Sequence, residues 1–202
     1  MDYYRDSVTQ KSWELLRDLK RRFPFVLIGG WAVWFYAKQL KSKDIDLVVD
    51  LPVLDQLKST YDLVKNDRLA KYEFRQGELE VDVYVPFFST PGIAAEEILA
   101  NARVVEGFRV PTRELLIALK LVAWDARRAS AKGRKDFLDI VSLLETGTVD
   151  NVSLRKWILV GRLEENASQF REELTHQTAI LELHLNAHRL SRRKKHWLEM
   201  IS

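Results

Sequence analysis

The chain has 202 residues, 47% hydrophobic and 30% charged, with a net charge of +3 and a pI near 9.0. That balance describes an ordinary folded globular protein and excludes a disordered chain. The absence of cysteine excludes disulfides and thiolate metal sites, and no apolar run reaches the roughly 18–20 residues needed to cross a bilayer.

In chain order, Trp13, Leu15, Leu16 and Leu19 recur at helical spacing and predict a first helix over 5–22, stopped by Pro24. The charged start, MDYYRDSVTQKSWELL, lacks the apolar stretch of a secretory leader, so a cytoplasmic address and no membrane contact are expected. Phe25–Ile28 is a short apolar strand, followed by Gly29, Gly30 and a helix over 31–39. A strand over 44–49 and a helix opened by Pro52 and running to about 66 come next. The segments 71–75 and 78–85 flank a Gln76–Gly77 turn and predict an antiparallel hairpin. A short helix near 93–101 and a strand at 104–110 complete an α/β half. From Pro111 onward the pattern is helical, over 114–127, 135–144, 153–163 and a long 169–190, with Thr112 as N-cap of the first. The expected organisation is an α+β region, 1–110, with a small mixed sheet flanked by helices, and a helical C-terminal region, 111–202.

Asp44 and Asp46 are two residues apart on one predicted strand, so both face the same way. Asp82 lies on another, between Val81 and Val83, where an unpaired charge is costly. Carboxylates that converge without a histidine suit a hard divalent cation, Mg²⁺ or Mn²⁺, although each aspartate alone could be a solvated strand end. Gly29–Gly30 sits at a strand-to-helix junction, where glycine either makes a tight turn or lets backbone N–H groups approach a phosphate.

The string LIGGWAVWFYAKQLKSKDIDLVVD resembles the defining motif of the polymerase β-type nucleotidyltransferase superfamily: a glycine pair, a helix, then Asp-x-Asp on a strand. ELEVDVYVP resembles its later strand with the third carboxylate, while LLIALKLVAWDARR and GRKDFLDIVSLL resemble the abortive-infection toxin branch. The likeness covers about residues 25–145. It implies a nucleotidyltransferase core in which Asp44, Asp46 and Asp82 are catalytic and hold magnesium. Gly29, Gly30 and Lys43 would bind a nucleoside triphosphate such as ATP. Lys120, Arg127 and Lys135 would contact the triphosphate or acceptor, with Asp136 or Asp139 orienting them; surface ion pairing is an equal reading of that group. A nucleoside monophosphate would pass to a hydroxyl on RNA (tRNA), a protein or a small molecule, with pyrophosphate leaving and an antitoxin as partner. Two departures bear on the nucleotide pocket: position 30 is glycine where serine is common, and Leu40 replaces a basic residue that Lys41 and Lys43 stand close enough to replace. The alternative is a degenerate, non-catalytic nucleotide- or RNA-binding module.

Other features remain outside that motif. In the C-terminal stretch, Arg189, Arg192, Arg193, Lys194 and Lys195 face only Glu199, an excess larger than the net charge of the chain. Such a cluster suits either a polyanion or a solvated helix end. His176, His184, His188 and His196 lack the glutamate of a zinc-protease helix and read as incidental. Trp31 and Trp34 read as packing residues.

Overall fold

A computed structural model describes residues 6–201, and these form two compact units divided in the chain between Thr112 and Arg113. The first holds a five-stranded mixed sheet with helices and a separate hairpin; the second is helical. Among the described residues no helix is long and apolar enough to cross a membrane.

The first unit opens with α1 (Asp6–Arg22), which buries Thr9, Ser12, Leu16 and Leu19 along one stripe. Strand β1 (Val26–Ile28) runs into α2 (Gly29–Ala37), and Trp31 of α2 donates its indole N–H to Ser12 Oγ at 2.9 Å. That bond satisfies the polar tip of a tryptophan only 2% exposed, so Trp31 is a packing residue as its spacing predicted. Strand β2 (Ile45–Val48) is followed by α3 (Leu51–Thr60), capped by the Asp50 carboxylate accepting from Val53 N at 3.1 Å.

Helix α3 ends six residues before its expected limit. Tyr61 turns to an extended conformation and stacks on Phe74, ring centroids 4.3 Å apart, and Val64–Asn66 becomes an edge strand, β3. Strands β4 (Lys71–Gln76) and β5 (Leu79–Tyr84) form the expected hairpin, with its turn at Gly77–Glu78 and Gly77 at φ +61°. The sheet order is β1-β2-β5-β4-β3, with β2 and β5 parallel and the other neighbours antiparallel. Leu27, Ile45, Leu47, Val81 and Val83 alternate inward and are at most 1% exposed, which leaves the polar positions of β2 and β5 on the opposite face.

After α4 (Ala95–Ala100) the single strand expected at 104–110 is a hairpin instead, β6 (Ala102–Val105) and β7 (Phe108–Pro111). Glu106 and Gly107 both take positive φ, as a two-residue turn matched to strand twist requires.

In the second unit, α5 (Arg113–Arg127) starts immediately after Thr112. Ser130 caps α6 (Ala131–Glu145) and Asp150 caps α7 (Asn151–Gly161) through their side-chain oxygens. The long helix expected over 169–190 is interrupted. Helix α8 (Glu164–His176) stops, a 3₁₀ turn spans Leu181–Leu183, and His184 adopts φ 55°. Asn186 then caps α9 (Ala187–Met200), accepting from Arg189 N at 3.0 Å. Phe137 and Phe170 lie at the centre of this unit, both at most 1% exposed, with Trp124 meeting Phe170 edge-on at 5.3 Å. The basic C-terminal stretch belongs to α9, which buries Leu190, Trp197 and Met200. Lys194 donates to the Thr175 and Gln177 carbonyls at 2.9 Å, while Arg189 and Arg193 lie 3.6 Å from the Glu145 carboxylate.

Candidate active site

Strand register assembles a row of carboxylates across the first unit. Asp46 of β2 is the direct partner of Asp82 on β5, and Asp82 is the direct partner of Glu73 on β4. Direct partners share a sheet face, and neighbouring strands lie about 4.8 Å apart, so the three acids stand side by side. Asp44 precedes β2 by one residue and lies close enough for its charge to act on Asp82. The three aspartates singled out by sequence therefore come together, and Glu73 joins them.

One end of the row is closed by the glycine pair. Gly29 adopts φ +68°, and a Cβ there would overlap the Asp46 carboxylate. The missing side chain thus lets Asp46 tuck against the start of α2, where the helix dipole favours an anion. Gly30 is buried within the first turn of the same helix. Lys43 is half-buried just before Asp44, and Ser42 Oγ donates to the Asp44 carbonyl at 3.1 Å.

The other end is closed by Lys71. Its ammonium lies 2.6 Å from Asp82 Oδ2 and 3.1 Å from Glu73 Oε2, with the lysine side chain 11% exposed. Burial raises the Asp82 carboxyl above its usual range; Lys71 opposes that, and the charges of Glu73 and Asp44 reinforce it. Burial also opposes the charge on Lys71, but Asp82 and Glu73 outweigh it and hold the ammonium above its ordinary value. One ammonium is thus shared by Asp82 and Glu73 without bringing Asp82 down to its ordinary range. Beside Asp82 a cavity of about 460 Å³ is lined by Asp62, Val64, Glu73, Arg75 and Glu80, a volume in the range of small-molecule sites.

The chemistry of the donors, carboxylate oxygens with neither sulfur nor imidazole, fits a hard divalent cation. Among the described residues no three His, Cys, Asp or Glu side chains are gathered closely enough to hold one in their present positions. Asp82 is turned towards Lys71 instead. Sequence reasoning passed over Lys71 and Glu73. Their signal was the two-residue spacing in Lys-Tyr-Glu, combined with the register that the hairpin turn sets.

The basic residues expected to meet the triphosphate form a separate constellation within the second unit. Lys120 lies 2.9 Å from Asp136 and 2.7 Å from Asp139; Arg127 Nε is 2.7 Å from Asp136, and Lys135 is 3.1 Å from Asp139. Lys120, Lys135, Asp136 and Asp139 are buried, whereas the Arg127 side chain is 43% exposed. Burial opposes the Lys120 charge, yet Asp139 and Asp136 raise it well above the lysine range. Burial likewise opposes ionisation of Asp136, but Lys120 and Arg127 prevail and lower it. Lys135 goes down, through burial and the repulsion of Lys120 against the attraction of Asp139. Asp136 and Asp139 thus hold these cations in an ion-pair network that is buried except at Arg127, rather than in pairs on the surface. The His184–His188 pair does not share a helix, since His184 ends the 3₁₀ turn and His188 lies in α9, and all four histidines are exposed.

No family model matches the chain, and no curated protein matches it either. Among solved structures, the chain is similar to JHP933 from Helicobacter pylori, with 17% identity and a TM-score of 0.52, covering 96% of this chain and 91% of that one. An antigenic nucleotidyltransferase-like protein from Paracoccidioides brasiliensis aligns with a TM-score of 0.48 and 18% identity, covering 90% of this chain and 94% of that one. The first likeness shows a shared fold across nearly the whole length of both chains.

Proposed function

We propose that the first unit is a metal-dependent nucleotidyltransferase core that moves a nucleoside monophosphate from a nucleoside triphosphate to a hydroxyl. The observation that carries this reading is the direct pairing of Asp46 with Asp82, with Asp44 beside them and Gly29 holding Asp46 at a helix start. The motif resemblance of LIGGWAVWFYAKQLKSKDIDLVVD and ELEVDVYVP points the same way.

In this reading Asp44, Asp46 and Asp82 would hold Mg²⁺ or Mn²⁺. The ion supplies charge neutralisation on the triphosphate and lowers the pKa of the attacking hydroxyl. The acceptor oxygen forms a bond to the α-phosphorus, the bond from that phosphorus to the bridging oxygen breaks, and pyrophosphate carries away the electron pair. Asp82 takes the hydroxyl proton. Its place beside the cavity suits that role, since a general base must lie within reach of the acceptor hydroxyl. The backbone at Gly29 and Gly30 and the ammonium of Lys43 would contact the triphosphate, and the cavity beside Asp82 offers room for the acceptor. Arg127, the exposed member of the second unit's cluster, is held by Asp136 and is the cation there best able to meet an anion, whereas Lys120 and Lys135 are buried against the aspartates. The likeness to the toxin branch extends the proposal to a tRNA or protein acceptor and a neutralising antitoxin.

The test is incorporation of label from α-³²P nucleoside triphosphates into cell extract with Mg²⁺. An Asp44→Ala/Asp46→Ala double variant should lose at least about a thousandfold in rate, the scale on which preorganised charge stabilisation acts. Incorporation that persists in the double variant sinks the proposal. A second reading, a non-catalytic nucleotide-binding module, is favoured by one observation: Lys71 already pairs with Asp82. Triphosphate binding by calorimetry without transfer to any acceptor would select it.

A further inference from the structure

We infer that Lys71 holds a cation's place between Asp82 and Glu73, and that a divalent ion reaches Asp82 by displacing this ammonium onto Glu73 alone. The inference rests on the metal-dependent reading above and names two residues which that reading does not use.

Three features of the geometry carry it. First, Asp46, Asp82 and Glu73 are successive cross-strand partners, and like charges directly opposite each other destabilise a sheet. A ligand-free fold needs a cation among them, and this chain supplies one from its own β4. Second, Lys71 is not a loose surface lysine: its side chain is 11% exposed and its ammonium touches two carboxylates. Third, the two partners differ in access. The Asp82 side chain is 23% exposed and that of Glu73 39%. Glu73 can therefore keep the ammonium at the edge of the site while Asp82 turns to a metal. A lysine suits this exchange, because it is a compact charge on a flexible four-carbon stem, whereas an arginine fork would clamp both carboxylates.

Competition of this kind lowers the apparent affinity for metal by the fraction of molecules in which Asp82 is released. Glu73 raises that fraction by accepting the displaced ammonium. Lys71 is thus a positioning residue that acts through Asp82.

The experiment titrates the full chain with Mn²⁺ alone and reads the free-ion EPR signal, so that binding is measured without nucleotide or turnover. Lys71→Met should bind Mn²⁺ about tenfold more tightly than the parent if one molecule in ten has Asp82 released. Lys71→Arg should bind it more weakly. These opposite directions separate the inference from a general loss of folding, which would weaken both. Glu73→Gln should weaken binding in the parent background and do so much less alongside Lys71→Met; equal weakening in both would make Glu73 a direct ligand and overturn its role as ammonium acceptor. A parent that binds Mn²⁺ with Lys71→Met unchanged overturns the inference while leaving the active-site reading standing. If neither protein shows binding sensitive to Asp44→Asn/Asp46→Asn, both fail.

Discussion

Asp82 and Asp136 are largely buried aspartates, each within 3 Å of a lysine ammonium, and their environments move them in opposite directions. Burial raises both. At Asp136 two cations, Lys120 and Arg127, overcome it; at Asp82 a single shared lysine does not, because Glu73 and Asp44 add like charge. In the helical unit three cations, Lys120, Arg127 and Lys135, meet two carboxylates, and all but Arg127 are buried, as in a structural element. In the sheet unit one lysine is shared between Asp82 and Glu73 beside a cavity, and Asp82 stays raised, as a group at a functional site often does. The cations around each aspartate, one shared lysine at Asp82 and two cations at Asp136, separate the two better than burial does.

Breaking the buried cluster should have the largest effect. Lys120→Met leaves Asp136 and Asp139 buried with less compensation, and removal of one partner from a buried ion pair costs about 3–5 kcal/mol. Hydrogen exchange in peptides from α5 and α6 would show it as lost protection. Retention of full protection would mean that the network does not stabilise the unit. Asp136→Asn should cost about 1.5–3 kcal/mol at pH 7, the worth of hydrogen bonds to a charged group. Its pH dependence has a definite sign. A depressed carboxyl contributes stability that is present above its unfolded value near about 4 and is lost as pH falls through the lower folded value. Parent and variant should therefore converge in acid.

Asp82→Asn should behave differently. A carboxyl raised in the fold makes its ionised form a burden, present at neutral pH and relieved as pH falls through the folded value. Without metal, the variant should equal or exceed the parent at pH 7 by up to about 1 kcal/mol, a trade-off common at functional sites. Urea unfolding of the two proteins from pH 7 to pH 4 checks this. A loss like that expected for Asp136→Asn would erase the distinction between the regions.

Much of the sheet unit was legible because its signals are local. Alternation in β5, the glycine pair that opens α2 and Asp-x-Asp before and within β2 all act over a few residues. Register was not legible to the same degree. A turn centred on Gln76–Gly77 would set Lys71 opposite Asp82, whereas the turn at Gly77–Glu78 sets Glu73 there. A shift of one residue in the turn moves the partner by two, and that difference hid the fourth carboxylate. Strand β3 was missed because the stacking of Tyr61 on Phe74, a contact distant in sequence, ends α3. The break between α8 and α9 was in principle visible in Asn186, whose side chain caps α9, but continuous helical composition masked it. In the helical unit, pattern alone could not show whether Lys120 and Lys135 point outward to a phosphate or inward to aspartates.

Lys135 offers the smallest effect and the finest discrimination, since it sits in the same cluster as Lys120 and is displaced the other way. Asp139 already has Lys120 at 2.7 Å, so the second ammonium adds repulsion to its own desolvation. Lys135→Met keeps most of the side-chain volume and should change stability by less than about 1 kcal/mol at pH 7, in the favourable direction, as replacements of buried charge by apolar side chains often do. For a lysine lowered in the fold, the unfolded chain binds more protons between the folded value and about 10.4. Parent stability should therefore rise with pH through that window, and the variant should lack the rise. Urea midpoints at pH 7 and pH 10 measure both quantities. A variant as damaged as Lys120→Met would show that the two lysines act as one unit, with Asp139 depending on both.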